Sequence, residues 1–174
     1  GVDGYPVFTR KAGTDVAYLA CAQFLLSNDT RGRIFPQFAT HNAHTVTTIL
    51  EFANRDSRPF EFQRLYGMGE ALYDAALERA PKGTYCRIYA PVGEHKDLLP
   101  YLVRRLLGNG ANSSFVHQLV DPDVPVKSLC QHPIETLRQQ KNLANANIPL
   151  PKDIYGPKRR NSRGVNLNIR FFFF

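Results

Sequence analysis

The sequence predicts an α/β fold built on a parallel sheet, and three observations carry that expectation. A short β-branched or aromatic run, a polar junction and a longer stretch of helical period recur four times in order. The connections are short, as in βαβ units, whose crossovers are right-handed. The chain has 174 residues, against the ~250 typical of a closed eight-stranded barrel. Two architectures therefore fit: a small open doubly wound sheet, or an arc of a β/α barrel.

The first unit reads as a strand, Tyr5-Pro-Val-Phe-Thr9, a junction from Arg10 to Thr14, and a helix over residues 15–26. Val16, Leu19, Ala20 and Phe24 stand at helical spacing, and Thr14 is the expected N-cap. The second unit has a strand over residues 33–38, the junction Ala39-Thr-His-Asn42, and a helix through Val46, Ile49, Leu50 and Ala53 with Asn42 as its cap. The third has a strand over 60–65, the turn Tyr66-Gly-Met-Gly69 and a helix over 70–77. The fourth has a strand over 85–90, a junction over 91–94 and a helix over 97–108.

That last helix has two faces. At ~100° per residue, Leu98, Leu99, Leu102, Val103, Leu106 and Leu107 form an apolar stripe, while Tyr101, Arg104 and Arg105 cluster opposite. The arginines lie within about one turn of each other, ~5.4 Å. They form either a solvated outer face or a clamp in which two guanidinium groups reach one carboxylate or phosphate. In both candidate architectures the polar junctions share the carboxyl edge of the sheet, where ligands bind. This places Arg10, Lys11, Thr40, His41, Asn42, Gln63 and Tyr89 near one mouth.

Beyond the fourth helix the composition changes. Gly108-Asn-Gly-Ala-Asn-Ser-Ser114 turns the chain, and residues 115–120 form a last apolar run. From residue 121 the chain is rich in Pro and Asn, with one short helix expected near 133–140 and an extended linker from 145. The expected division is 1–120 as the βα units and 121–174 as a largely irregular tail. The four phenylalanines at 171–174 have no functional reading.

Composition bounds the remaining possibilities. At 43% hydrophobic residues the chain can bury a real core. Cys21, Cys86 and Cys130 are an odd number, widely spaced and without a C-x-x-C pair, so neither a disulfide framework nor a cysteine zinc site is indicated and a reducing cytosol fits best. No apolar run approaches the ~20 residues of a spanning helix. Nor does the opening Gly-Val-Asp-Gly-Tyr-Pro resemble a leader, so a soluble protein is expected. The net charge of +7 is partly concentrated in Lys158-Arg-Arg-Asn-Ser-Arg163, and nucleic-acid binding through that tail is only a faint reading.

Thr40-His-Asn42, at a strand-to-helix handover, either receives an anion or simply caps the helix. His41 and His44 stand three apart without a third ligand at suitable spacing, so no metal site is expected. Gly67-Met-Gly69 and Gly108-Asn-Gly110 lack the rest of a dinucleotide fingerprint and read as turn glycines. Tyr66, Tyr73, Tyr89 and Tyr101 read as packing or ring-stacking residues. No nucleophile arrangement with a local signature is present.

Several runs together resemble a known family: Tyr5-Pro-Val-Phe-Thr-Arg-Lys11, Phe35-Pro-Gln-Phe-Ala-Thr-His-Asn42, Phe60-Glu-Phe-Gln63, Leu65-Tyr-Gly-Met-Gly-Glu70, Cys86-Arg-Ile-Tyr-Ala-Pro-Val-Gly93 and Tyr101-Leu-Val-Arg-Arg-Leu-Leu107. They resemble, in order, the proline dehydrogenase domain of the bifunctional proline utilisation A flavoenzymes. Pro151-Lys-Asp-Ile-Tyr-Gly156 and Asn161-Ser-Arg-Gly164 more weakly resemble the segment leading into that family's aldehyde dehydrogenase domain. The resemblance implies a partial (β/α)8 TIM-like barrel comprising strands five to eight, with FAD as cofactor and L-proline as substrate. It implies that Arg104 and Arg105 bind the substrate carboxylate, with Tyr101, Tyr89 and Leu65 around the proline ring, and that Arg10, Lys11, Thr40, His41, Asn42 and Gln63 line the flavin. It further implies a membrane quinone as electron acceptor, a cytoplasmic enzyme that meets the inner face of the membrane peripherally, and a fused aldehyde dehydrogenase domain. Gly108 stands where this family carries a glutamate. Half a barrel also has two open edges, so the alternative expectation is an inactive fragment that associates with itself or a complementary half.

Overall fold

The computed structural model describes residues 4–109 and 115–162, apart from the side chains of Leu106, Asn109 and Val116. The turn at 110–114, the end of the basic tail from 163 and the phenylalanines at 171–174 lie outside the described residues, as does the side chain of Leu106 in the expected stripe. In chain order come α1 (Lys11–Leu26), β1 (Gln37–Ala39), α2 (Ala43–Asp56), β2 (Glu61–Leu65), α3 (Glu70–Leu77), β3 (Tyr85–Tyr89) and α4 (His95–Asn109). Three short helices follow, α5 (Phe115–Val120), α6 (Val126–Leu129) and α7 (Pro133–Arg138). The chain forms two compact units, residues 15–132 and residues 1–14 with 133–174.

In the first of these units the strands are all parallel in the order β1-β2-β3. Phe38 pairs with Phe62 and Phe62 with Cys86. Side chains alternate across a strand, so these three point to one face. There they meet Ala22 and Leu26 of α1, Val46, Ile49, Leu50 and Ala53 of α2, and Tyr73 and Ala76 of α3. Phe60 and Phe62 pack edge-to-face with centroids 4.7 Å apart, and Phe62 meets Tyr73 at 5.3 Å. The helices of this core thus cover one face of the sheet, unlike a doubly wound fold, which covers both. The other face carries Gln37 and Ala39, then Glu61, Gln63 and Leu65, then Tyr85, Arg87 and Tyr89.

Besides the strand expected over 33–38, which is confined to Gln37–Ala39 because Pro36 has no N–H to give a ladder, two expectations need correction. The run Tyr5–Thr9 forms no strand, so the described residues hold three strands instead of four. Pro6 has no N–H to give a ladder, and the segment's polar groups are satisfied by a loop in its own unit. The Tyr5 hydroxyl donates to the Ile148 carbonyl at 2.6 Å, and Thr9 Oγ1 accepts from the Asn145 N–H at 2.8 Å. With no strand to end, α1 begins at Lys11, which puts Thr14 inside the helix and not at its cap. The second correction concerns α4. Its apolar stripe is not packed: Leu99, Leu102, Val103 and Leu107 are exposed, Leu107 by 72%. The edge strand β3 shares this openness, with Ile88 49% exposed.

Candidate functional site at the carboxyl edge of the sheet

The site residues are placed by register. Ala39 pairs with Gln63, Gln63 with Arg87, and Leu65 with Tyr89. Adjacent parallel strands lie about 4.8 Å apart, so Gln63, Leu65 and Tyr89 share the helix-free face near the strand ends. Thr40, His41 and Asn42 follow β1 directly.

Asn42 is a cap. Its side-chain oxygen accepts from the N–H groups of His44 and Thr45, at 3.0 and 3.4 Å. Those donors are occupied, which leaves the start of α2 poorly suited to an added anion. Of the two readings open for Thr40-His-Asn42, the geometry supports capping. The Thr40 hydroxyl accepts from the Asn42 N–H at 3.1 Å, and the Thr40 carbonyl accepts from the Tyr73 hydroxyl. Together these bonds tie the junction to α3.

His41 lies half-buried against that helix, its ring 6.5 Å from Tyr73. Burial, and then the charge of Arg64, push the imidazole below its ordinary pKa, so it is neutral at pH 7. Its Nδ1 is buried without a hydrogen-bond partner. A Cβ on Gly69 would stand 3.0 Å from that nitrogen, and Gly69 has φ +71°. Glycine is required there twice, by conformation and by the close approach of the imidazole.

The strongest electrostatic feature is one that the sequence reading passed over. Glu61, on the helix-free face, is fully buried. Arg87 Nε and Nη2 grip its two oxygens, each at 2.8 Å, in a bidentate pair. Gln63 Nε2 and Gln37 Nε2 donate to Glu61 Oε1 at 2.9 and 3.2 Å. The Arg87 bonds hold the Glu61 carboxyl down at about 2, against the opposing effect of burial, with Gln63 assisting. A signal for this network was available: polar residues recur at every second position, Glu61 and Gln63, then Tyr85 and Arg87, opposite the apolar Phe62 and Cys86.

Tyr101, Arg104 and Arg105 all lie on α4. The Arg105 guanidinium sits over the Tyr101 ring, 5.2 Å from its centroid, a cation–π contact that restrains the arginine. Both arginines are exposed and, among the described residues, neither forms an ion pair. Arg10 and Lys11 belong to the other unit, where Arg10 donates to the carbonyls of Asn142 and Ala144 at 3.2 and 3.3 Å. The described residues hold no cluster of His, Cys, Asp or Glu able to bind a metal, and the three cysteines are free.

A family model described as proline dehydrogenase matches residues 1–118. The chain belongs to the proline dehydrogenase family. It is 50% identical over 178 residues to the bifunctional protein PutA of Klebsiella aerogenes, a match covering 96% of this chain and 13% of that protein. PutA of Escherichia coli K12 gives the same identity and coverage. Among solved structures, a variant of Bradyrhizobium japonicum proline utilization A is 60% identical with a TM-score of 0.80, covering 95% of this chain and 17% of that one. This member of the proline dehydrogenase family thus spans about an eighth of the length of its curated PutA relatives. Its parallel sheet and flanking helices match the fold of their proline dehydrogenase region.

Proposed function

We propose that this chain is an arc of a β/α barrel that oxidises L-proline to pyrroline-5-carboxylate with FAD. The observation that carries the reading is the two-sided sheet: helices on one face, and on the other a buried carboxylate, Glu61, held by Arg87, Gln63 and Gln37 beside the strand ends. An arc of a β/α barrel keeps its helices on the outer face and leaves the inner face to the barrel interior, whereas an open doubly wound sheet carries helices on both faces. The residues present suit a flavin. Gln63 and Gln37 offer polar groups on the inward face, and His41 Nδ1 is a buried nitrogen with unmet hydrogen-bonding capacity.

In this reading Thr40, His41, Asn42 and Gln63 border the flavin, with Arg10 and Lys11 assigned there by family resemblance alone. Arg104 and Arg105 hold the substrate carboxylate by charge-assisted bonds. Tyr101, Tyr89 and Leu65 wall the proline ring and exclude water. A bound flavin supplies a two-electron acceptor for the hydride that leaves the carbon beside the ring nitrogen. The protein's part is to orient that carbon, which needs no nucleophile. Onward electron transfer to a membrane quinone, a cytoplasmic site of action and a fused aldehyde dehydrogenase domain belong to the same proposal.

The competing reading, an inactive arc that only associates, is favoured by the exposed stripe of α4 and the open edge at β3. One experiment separates them. Residues 1–118 replace the matching segment of Bradyrhizobium PutA, and flavin absorbance is followed after proline is added. Bleaching by proline supports the proposal. A folded chimera that keeps its flavin yellow contradicts it.

A further inference from the structure

We infer that Glu61 is a positioning residue that fixes which end of the Gln63 side chain faces a ligand on the inward side of the sheet. An ionised carboxylate only accepts hydrogen bonds. The amide of Gln63 therefore has one stable orientation beside it, with Nε2 donating to Glu61 Oε1 at 2.9 Å. Its carbonyl oxygen is left facing away. The same holds for Gln37, whose Nε2 meets the same oxygen at 3.2 Å.

Arg87 makes the lock firm. Its two bonds at 2.8 Å keep the carboxylate ionised and aligned, while its side chain stays 56% exposed on the inward face. Glu61 itself is wholly buried, so water cannot replace these partners. Because the charge sits at the centre of the network, the polarity of the surrounding amides is set by chemistry instead of by crowding. The inward face thus presents carbonyl acceptors beside a cation, a pattern that suits a ligand bearing a ring N–H next to an electron-rich oxygen. An imide is such a group, and the flavin ring contains one. The inference rests on the proposed flavin site for the identity of its ligand, and on this chain's geometry for the lock itself.

The substitution Glu61→Gln tests it without changing side-chain size. A neutral amide at 61 can donate, which lets Gln63 turn over and present its NH2 group instead. The double variant E61Q/Q63E restores an acceptor at position 63, held by the new amide at 61. Two measurements read the outcome. In the full chain, side-chain amide NMR, with the Gln63 signal assigned by its loss in Gln63→Leu, should show Gln63 protons exchanging at least ~10-fold more slowly than exposed glutamines, with that protection lost in E61Q. In the chimera, FAD affinity should fall about 10- to 100-fold in E61Q, as for loss of a hydrogen bond with an unmet partner, and recover to within ~3-fold in the double variant. A Gln63 amide that exchanges freely in the unsubstituted chain overturns the lock. Unchanged FAD affinity in E61Q, or failure of E61Q/Q63E to recover, overturns its role toward the ligand. If the unsubstituted chimera binds no FAD, the flavin reading fails, and the amide spectra still decide the lock.

Discussion

At the scale of single residues, Glu61 makes the sharpest prediction because its ionisation is coupled to folding. Its carboxyl titrates at about 2 in the folded chain, against an ordinary value of 4.5. A depressed folded pKa contributes stability that is complete above the unfolded value and is lost as pH falls through the folded one. Urea midpoints should therefore drop between about pH 4.5 and pH 2, and the drop should be smaller in Glu61→Gln. Equal pH dependence in the two proteins would show that Arg87 does not hold the carboxylate. Asn42 gives a second case at this scale. Replacing it with alanine removes the acceptor for two N–H groups and should cost about 1 kcal/mol in denaturant unfolding.

At the scale of elements, the turn into α3 and the helix α4 behave in opposite ways. Gly69 combines φ +71° with an approach of 3.0 Å to His41 Nδ1. Gly69→Ala should therefore destabilise by about 1–2 kcal/mol from conformation alone, with the clash adding to it and shifting the His41 ring signals in NMR spectra. On α4, Leu107→Lys should change the unfolding free energy of the isolated chain by less than about 0.5 kcal/mol, since the side chain is exposed. Phe62→Ala, in the packed centre, should cost about 3–5 kcal/mol. If Leu107→Lys matches the cost of Phe62→Ala, the stripe is packed and the exposure described for α4 is wrong.

The same elements show how far the sequence could be read. The helix at 70–77, the strand ending at Leu65 and the Asn42 cap follow from local rules of periodicity, turn glycines and capping, and each stands where those rules put it. The run Tyr5–Thr9 has strand-forming composition but no ladder, because a strand needs a neighbour and composition does not supply one. The helix-free face was only half legible. Gln63 was read as lining a ligand, while Glu61 and Arg87, whose pairing depends on register across two strands, were passed over. Register is a tertiary property, visible only once β2 and β3 are aligned.

At the scale of the whole molecule, the chain carries a well-packed helical layer on one side of its sheet and unpaired strand edges at β1 and β3 among the described residues. It spans 13% of PutA relatives that it matches at 50% identity. Catalysis by these residues is therefore proposed only within a completed barrel. The most direct test is proline-dependent flavin bleaching in the chimera, with and without Arg104→Ala and Arg105→Ala. The account predicts bleaching in the unsubstituted chimera and a rise in KM for proline of about 10- to 100-fold in each arginine variant, as for loss of a charge-assisted hydrogen bond. Bleaching with an unchanged KM in both variants would contradict it, because the paired guanidinium groups would then have no part in holding the substrate.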